Sequence, residues 1–599
     1  MSNKRLPKRN EVPVNDTWDL SPMFENDQAW ESEYNNLKEY YPVISRFKGR
    51  LSSSADALLE ALKVSESISS RLEVLYIYAH LNNDADTANN HYQGYMSKMG
   101  ALVAEIGAEL SFINTELMAA DEDIIRGYIN TTEELKIYKH SFNELFSKRK
   151  HILSEEVETV LAQSSEVLGM SSDIFSVLNN ADLKFDNIKD ENGESVQLSH
   201  GRYGLYMENY NRDVRKDAFK TLYKSYTDHI NTFATTLRGQ VKYDNLNAKL
   251  RKYSSAREAS LSRNFVPETV YDALVEAVDS NLNLLHRYVS LRKRALKLED
   301  IHMYDIYVPF VEPVELTFTY EEAKQLVFDS LAVLGKEYQS ILRKAFDQRW
   351  IDVVENEGKR SGAYSSGSYD TNPYILLNWN NTLDNVYTLT HELGHSLHSY
   401  YTRNNQPFVY GDYSIFLAEV ASTTNENLLT DYLLKKYDDP KIQAYIINHY
   451  LDGFKATVFR QTQFAEFEHL IHTLDDQGVA LTAELLKEKY FEINKKYYGD
   501  EMVYDDEIAI EWSRIPHFYY NYYVFQYATG FSAATALSHK ILTEGESAVV
   551  AYINYLKSGC SDFPIEVLKK AGVDMSTNKA TIDAMKVFDE RLKMLEEIL

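Results

Sequence analysis

Apolar residues recur along most of this 599-residue chain at three- and four-residue intervals, the spacing that lines one face of an α-helix. From Ser54 to Asn130 the pattern reads helical throughout, with Leu58, Leu59 and Leu62, then Leu72, Leu75, Tyr76 and Tyr78 on that spacing. Further helical runs are predicted over about 155–180, 207–247, 266–297, 320–346, 382–402, 414–437, 440–475 and 481–497. Only 23 glycines and 12 prolines punctuate the sequence, so long helices with short connections are expected.

Two segments depart from the helical period. Leu183 to Ser199 (LKFDNIKDENGESVQLS) has extended runs on either side of Asp190-Glu191-Asn192-Gly193, and the Asn-Gly pair predicts a β-hairpin turn. Ser361 to Asn380 (SGAYSSGSYDTNPYILLNWN) mixes Gly, Ser and Tyr before a short apolar run, Tyr374 to Leu377. It predicts one or two strands around an irregular turn. No internal repeat, low-complexity tract or clear linker is visible.

Composition changes this picture only by exclusion. With 44% hydrophobic and 25% charged residues, the chain is an ordinary globular sequence. Its 89 acidic against 63 basic residues give a net charge of −26, which argues against nucleic acid or an anionic membrane surface as a partner. A lone cysteine, Cys560, rules out an internal disulfide and makes a reducing cytoplasm the expected location. The basic N-terminal residues are followed by no apolar stretch, so no signal peptide is expected. No run of about 18 apolar residues predicts a membrane span.

The chemistry lies at 391–395, His-Glu-Leu-Gly-His. Histidines at i and i+4 share a helix face within reach of one metal ion, and the glutamate between them can hydrogen-bond the metal's water. Thr382 offers an N-cap for this helix. Val386, Leu389, Leu393, Leu397 and Tyr400 gather on its apolar side, with His391, His395 and His398 opposite. A tetrahedral site needs a third protein ligand. His398 lies a full turn too far along a straight helix to close a tetrahedron, so it is expected beside the site. The next helix, SIFLAEVASTTNENLLTDYLL, is expected to start at a Ser414 cap. It carries Glu419, Ser422, Thr423 and Glu426 on one face, with Leu417, Ala421 and Leu428 opposite. Folded back through a turn at Gly411, it would bring Glu419 to the metal and Glu426 to a ligand histidine's free N–H. Zinc, one ion per chain, is the expected metal.

HELGHSLHS followed by FLAEVASTTNE resembles the thimet-oligopeptidase-like zinc peptidases, and most closely their bacterial oligoendopeptidase F branch. The hairpin segment, IHMYDIYVPF (Ile301 to Phe310), GAY…PYILLNW and HFYYNYYVFQYATG extend the likeness over essentially the whole chain. The resemblance implies a mostly α, two-lobed ellipsoid with a deep central channel that admits short unstructured peptides. We expect residues 1–200 as a helical channel wall and 201–599 as the catalytic domain, the boundary being approximate. It also implies Glu419 as third ligand and Glu426 as supporting carboxylate.

In the tyrosine-rich Arg514–Gly530 segment, a helical reading puts Tyr520, Tyr523 and Tyr527 on one face, with His517 at its start. The resemblance implies that a histidine and tyrosines here bind the substrate carbonyl and steady its oxyanion. His517 and Tyr523 are therefore taken as catalytic, and Tyr520 and Tyr527 as substrate-binding, with Tyr522 a competitor. Gly362, Ala363 and Tyr364 are candidates for an edge strand that pairs with the peptide backbone. The expected reaction is metal-assisted hydrolysis of an internal peptide bond with Glu392 as general base. The rival readings are a dipeptidyl carboxypeptidase-type exopeptidase on the same zinc core and an inactive helical peptide-binding protein. No GxSxG elbow is present, and Cys560 has no evident histidine partner.

Overall fold

Helix starts follow the capping chemistry of the sequence. The computed structural model describes residues 5–599. Ser54 Oγ accepts the Ala57 N–H at 3.1 Å and opens the helix Ala55–Ala85. Thr319 and Glu322 form a reciprocal capping box at Tyr320–Ser330, and Thr482 caps Ala483–Tyr498.

The mostly helical expectation holds, but several long runs are interrupted. The stretch from Ser54 to Asn130 contains the helices Ala55–Ala85, Asn90–Leu110, Phe112–Ala119 and Glu122–Thr131. Asp86 turns extended there, and Asn89 caps the helix that follows. The run over 207–247 breaks at His229, whose ring Nδ1 donates to the Ser225 carbonyl at 3.0 Å and competes with the helical ladder. The run over 266–297 parts at Ser280 and Asn281, and that over 320–346 parts before Gly335, where φ is +88°. Apolar periodicity runs through these joints because both flanking helices bury the same side, so it cannot mark them. The run over 440–475 is continuous, with one wide π-turn at Lys455–Phe459 between Pro440–Phe454 and Arg460–Asp476.

Both expected β segments form. Asn187–Lys189 pairs antiparallel with Ser195–Gln197 around the predicted turn, Gly193 taking φ +80°. In a second sheet Tyr374–Leu376 is central, parallel to Ile351–Asp352 and antiparallel to Tyr364–Ser366. That leaves Tyr364–Ser366 at an edge.

The chain divides into two compact units, each built from three segments. The first runs to Lys150 and adds Leu316–Tyr432 and Leu537–Gly572; the second takes His151–Glu315, Leu433–Ala536 and Val573–Leu599. The core of the first unit includes Trp30 stacked on Tyr95 at 3.8 Å, and the sheet contributes Tyr374 and Leu376 to it. Phe454, Phe459 and Phe588 meet in the core of the second at 4.9–5.7 Å. Among the described residues no helix is long and apolar enough to cross a membrane.

Candidate active site

The motif lies on the helix Leu383–Asn405, opened by Thr382 Oγ1 accepting the Asn385 N–H and ended at Gln406, which Pro407 holds extended. Val386, Leu389, Leu393 and Leu397 are fully buried, as the apolar side requires. Ser414 does open the next helix, Ile415–Lys436, but as a backbone start. Its carbonyl takes the Leu417 and Ala418 N–H groups, and its buried hydroxyl has no partner.

Gly394 decides how closely the two helices approach. A Cβ there would stand 2.5 Å from Ser422 Cα and 3.0 Å from the Ala421 carbonyl oxygen. Only a glycine lets the backbones meet at this depth. Asn425 Nδ2 donates to the Thr390 carbonyl at 3.3 Å, and Tyr387 and Thr430 join hydroxyls at 2.9 Å. From the first unit's last segment, Tyr555 OH donates to the Leu417 carbonyl at 2.7 Å.

This contact brings His391, His395 and Glu419 together, with one ligand atom of each within 4.8 Å of the others. The two Nε2 atoms are 3.1 Å apart, and Glu419 Oε2 lies 3.4 Å from His391 Nε2 and 3.7 Å from His395 Nε2. A tetrahedron with bonds of about 2.0–2.1 Å has edges of about 3.3 Å, so the three atoms fit one small divalent cation. Their chemistry agrees. His391 Nδ1 donates to Glu426 Oε1 at 2.9 Å, which leaves the Nε2 lone pair for a metal. The His395 ring donates to the Ala418 carbonyl in the same way. Burial opposes ionisation of Glu419, but His391 and His395 outweigh it and hold the carboxyl down at about 2. Burial, with the neighbouring His391, lowers His395 to about 4. Burial also works against the His391 imidazolium, yet Glu419 and Glu426 raise it to about 10.

Glu392 has a different environment. It is 8% exposed, and burial pushes its pKa up to about 7 against the opposing pull of His391. The Ser365 backbone N–H reaches its carboxylate. Ile375 and Leu377 give their N–H groups to Ile351–Asp352's side of the sheet, at the Trp350 and Asp352 carbonyls. Ser365, paired opposite Ile375, therefore turns its backbone groups to the free edge, and by alternation so does Ala363. Tyr364 OH is committed to Asp84 at 3.1 Å, and the Gly362 carbonyl to Asn378 Nδ2 at 2.8 Å. Ser365 and Ser396 hydroxyls, 2.8 Å apart, tie this strand to the motif helix.

His398 is fully buried, stacked on Tyr413 at 3.7 Å, with neither ring nitrogen hydrogen-bonded. Tyr413 OH lies 3.4 Å from the His395 carbonyl, so the stack backs the ligand helix without touching the three ligand atoms.

In the second unit His517, Tyr520, Tyr523 and Tyr527 do assemble, but not as one helix face. His517 sits in a short 3₁₀ turn, Pro516–Tyr519; Asn521 and Tyr522 are left-handed, and the helix begins only at Phe525. His517 meets Tyr520 at 5.6 Å and Tyr527 at 5.8 Å, and Tyr523 meets Tyr527 at 5.5 Å between ring centres. Tyr522 turns the other way, 2% exposed, with its hydroxyl 3.2 Å from His469 Nδ1. Burial lowers the pKa of His517, so its imidazole is neutral. Burial likewise pushes the Cys560 thiol up to about 12, which excludes it as a nucleophile at neutral pH.

The outer partners were not predicted: the Ala418 carbonyl, the Ser365 N–H, Tyr413 and the Gly394 contact. Only the last had a sequence signal, a glycine inside a strong helical pattern.

A His-Glu-x-x-His helix whose two histidines meet a glutamate of the next helix has the donor set of the zinc metallopeptidase class. Residues 205–587 match the family model "Peptidase family M3" and residues 116–185 match "Oligopeptidase F". The chain is 54% identical over 595 residues to the oligopeptidase PepF of Bacillus subtilis, covering 99% of this chain and 89% of that one. Crystal structures from Enterococcus faecium (an oligoendopeptidase-F; 46% identity, TM-score 0.72, covering 96% and 99%) and Chlamydophila abortus (37%, 0.95, covering 99% and 100%) share its fold. The chain belongs to peptidase family M3, in its oligoendopeptidase F branch.

Proposed function

We propose that this metalloendopeptidase is zinc-dependent and cuts internal bonds of short unstructured oligopeptides. The observation that carries the reading is the convergence of His391, His395 and Glu419 beside the buried carboxyl of Glu392. Two imidazoles and one carboxylate make the open-sided donor set of a catalytic zinc site, not the closed set of a structural one. Zinc bound there would polarise the scissile carbonyl and make a water acidic near neutral pH.

Glu392 then takes a proton from the attacking water and returns it to the departing amine nitrogen. Burial lifts this carboxyl to about 7 before metal binds, which offsets the pull of a cation and keeps it basic enough to accept the proton and give it back. Glu426 fixes the His391 tautomer by holding its Nδ1 proton. We assign His517 and Tyr523 as donors to the developing oxyanion and Tyr520 and Tyr527 as substrate contacts; the neutral imidazole and phenols have N–H and O–H groups to give. The strand edge at 362–364 pairs with the peptide backbone, and Ala363 has the free groups for it. His398 supports the ligand helix through Tyr413. The names of the relatives, oligopeptidase and oligoendopeptidase, support oligopeptide substrates and internal cleavage. The lone Cys560 supports a cytoplasmic setting.

The test is cleavage of an internally quenched peptide of about ten residues, blocked at both ends, with and without o-phenanthroline. Cleavage that the chelator abolishes and zinc restores is expected. If the zinc-loaded protein cuts only peptides with a free terminus, it is an exopeptidase instead.

A further inference from the structure

Tyr520 and Tyr523 stand on either side of an unusual bend. Asn521 and Tyr522 are consecutive non-glycine residues with φ of +48° and +56°. Asparagine tolerates this region, but a bulky tyrosine rarely occupies it and must be held there by its surroundings. The pair reverses the chain so that Tyr522 points into the core while Tyr520, 53% exposed, and Tyr523 join His517 and Tyr527.

What holds the bend comes from the helix Arg460–Asp476. Glu468 is fully buried, and its Oε1 accepts the Tyr522 backbone N–H at 2.7 Å. Its Oε2 meets no donor. Elsewhere at the bend, Ser260 Oγ donates to the Asn521 carbonyl at 2.5 Å, and the Tyr522 ring packs on His472 at 4.8 Å. A buried carboxyl with no hydrogen-bonded cation is costly to keep, and here only the His472 ring faces it at longer range. Burial accordingly raises Glu468 to about 7, with His472 only partly opposing it. Ordinary core packing at this position would be served by leucine or methionine. Two things the carboxyl does that an apolar side chain cannot are to accept that amide and to face the His472 ring with a negative charge, and only the first acts on the bend.

We propose that Glu468 is a positioning residue for catalysis: by fixing the left-handed bend at Asn521–Tyr522, it sets where the Tyr520 and Tyr523 hydroxyls stand. The inference rests on the assignment of Tyr523 as an oxyanion donor. Donors to a developing charge act over a narrow distance range, and a displacement of about 1 Å costs on the order of 10²-fold in rate. Glutamine keeps an acceptor at the Oε1 position; leucine keeps the volume and removes it.

The experiment compares Glu468→Leu, Glu468→Gln and Tyr523→Phe in the zinc-loaded protein. It reads kcat and KM on the blocked quenched peptide, metal content and Tm. Glu468→Leu should lose about 10²-fold in kcat with KM within about threefold and zinc stoichiometric, while Glu468→Gln stays within about threefold of wild type. If Tyr523→Phe loses kcat but Glu468→Leu does not, the positioning role is overturned and the donor assignment survives. If Tyr523→Phe leaves kcat unchanged, the donor assignment falls and takes the inference with it. An equal loss in Glu468→Gln and Glu468→Leu also overturns it, because the acceptor would then be irrelevant. Should Glu468→Leu fail to fold, Glu468→Asp, which draws the acceptor back by one methylene, replaces it. A kcat within threefold of wild type in that variant would overturn the proposal, and a loss of tenfold or more at stoichiometric zinc would support it.

Discussion

At Gly394 the added Cβ of an alanine would fall 2.5 Å from Ser422 Cα, so the helix carrying Glu419 would have to move. Overpacking of this kind costs about 1–3 kcal/mol. We expect Gly394→Ala to lower Tm and weaken metal binding at least tenfold, read by titration with a competing chelator; unchanged affinity would mean the helices part without moving Glu419. Glu392 is a second residue-scale case. Glu392→Gln should keep stoichiometric metal and lose on the order of 10³-fold or more in kcat, a general base being worth about 10²–10⁴. The base must be ionised to act; burial holds it at about 7 in the metal-free protein, and kcat/KM should fall tenfold per unit once pH drops below the value it takes with metal bound. A cation on the three ligands lowers the value further, which makes 7 the upper limit of the acidic limb. An acidic limb that persists unchanged in the residual activity of Glu392→Gln would remove Glu392 from the role. That His391 and His395 stand together was legible because i, i+4 spacing on a helix leaves little geometric freedom, and Glu419 was legible from the face it shares with Glu426 on the next helix. The Ser365 N–H and the Ala418 carbonyl were not, because backbone groups carry no residue identity.

Elements were legible where one period ran unbroken between caps, as in Leu383–Asn405 and in the Asn187–Gln197 hairpin. They were misread where two helices bury a common side and only a backbone angle separates them, as at His229 and at Ser280–Asn281. The same blindness put Tyr520, Tyr523 and Tyr527 on one helix: nothing in NYYVF marks two left-handed residues, since neither is glycine. The edge strand Tyr364–Ser366 gives an element-scale prediction. Proline at an outward-facing edge position removes an N–H without disturbing the ladder within the sheet. Ala363→Pro should therefore raise KM about tenfold on the blocked peptide and leave kcat within about threefold, the signature of lost uniform binding. If KM does not move, the peptide backbone does not pair with this edge.

Over the whole molecule the chain is threaded, each unit drawing on three separated segments, and local patterning cannot report which segments reunite. The motif helix and the glutamate of the next helix meet within one unit, and that unit also holds the first 150 residues. Metal bound there stabilises the folded state that holds it, by about 4 kcal/mol at a free concentration 1,000-fold above Kd. The pH dependence has a definite sign. In the metal-free protein Glu419 and Glu426, outweighing burial, raise His391 from 6.5 to about 10, so the folded state holds a proton that the unfolded chain releases. That contribution to metal-free stability is complete below 6.5 and lost as pH rises through about 10. Metal must displace the same proton, so its affinity should climb up to tenfold per unit between pH 7 and 9. Calorimetric scans should accordingly show a metal-dependent transition whose separation from the metal-free one widens over that range, with at least one proton released per ion bound at pH 7. A separation that narrows, or binding without proton release, would mean that His391 is already neutral before the metal arrives.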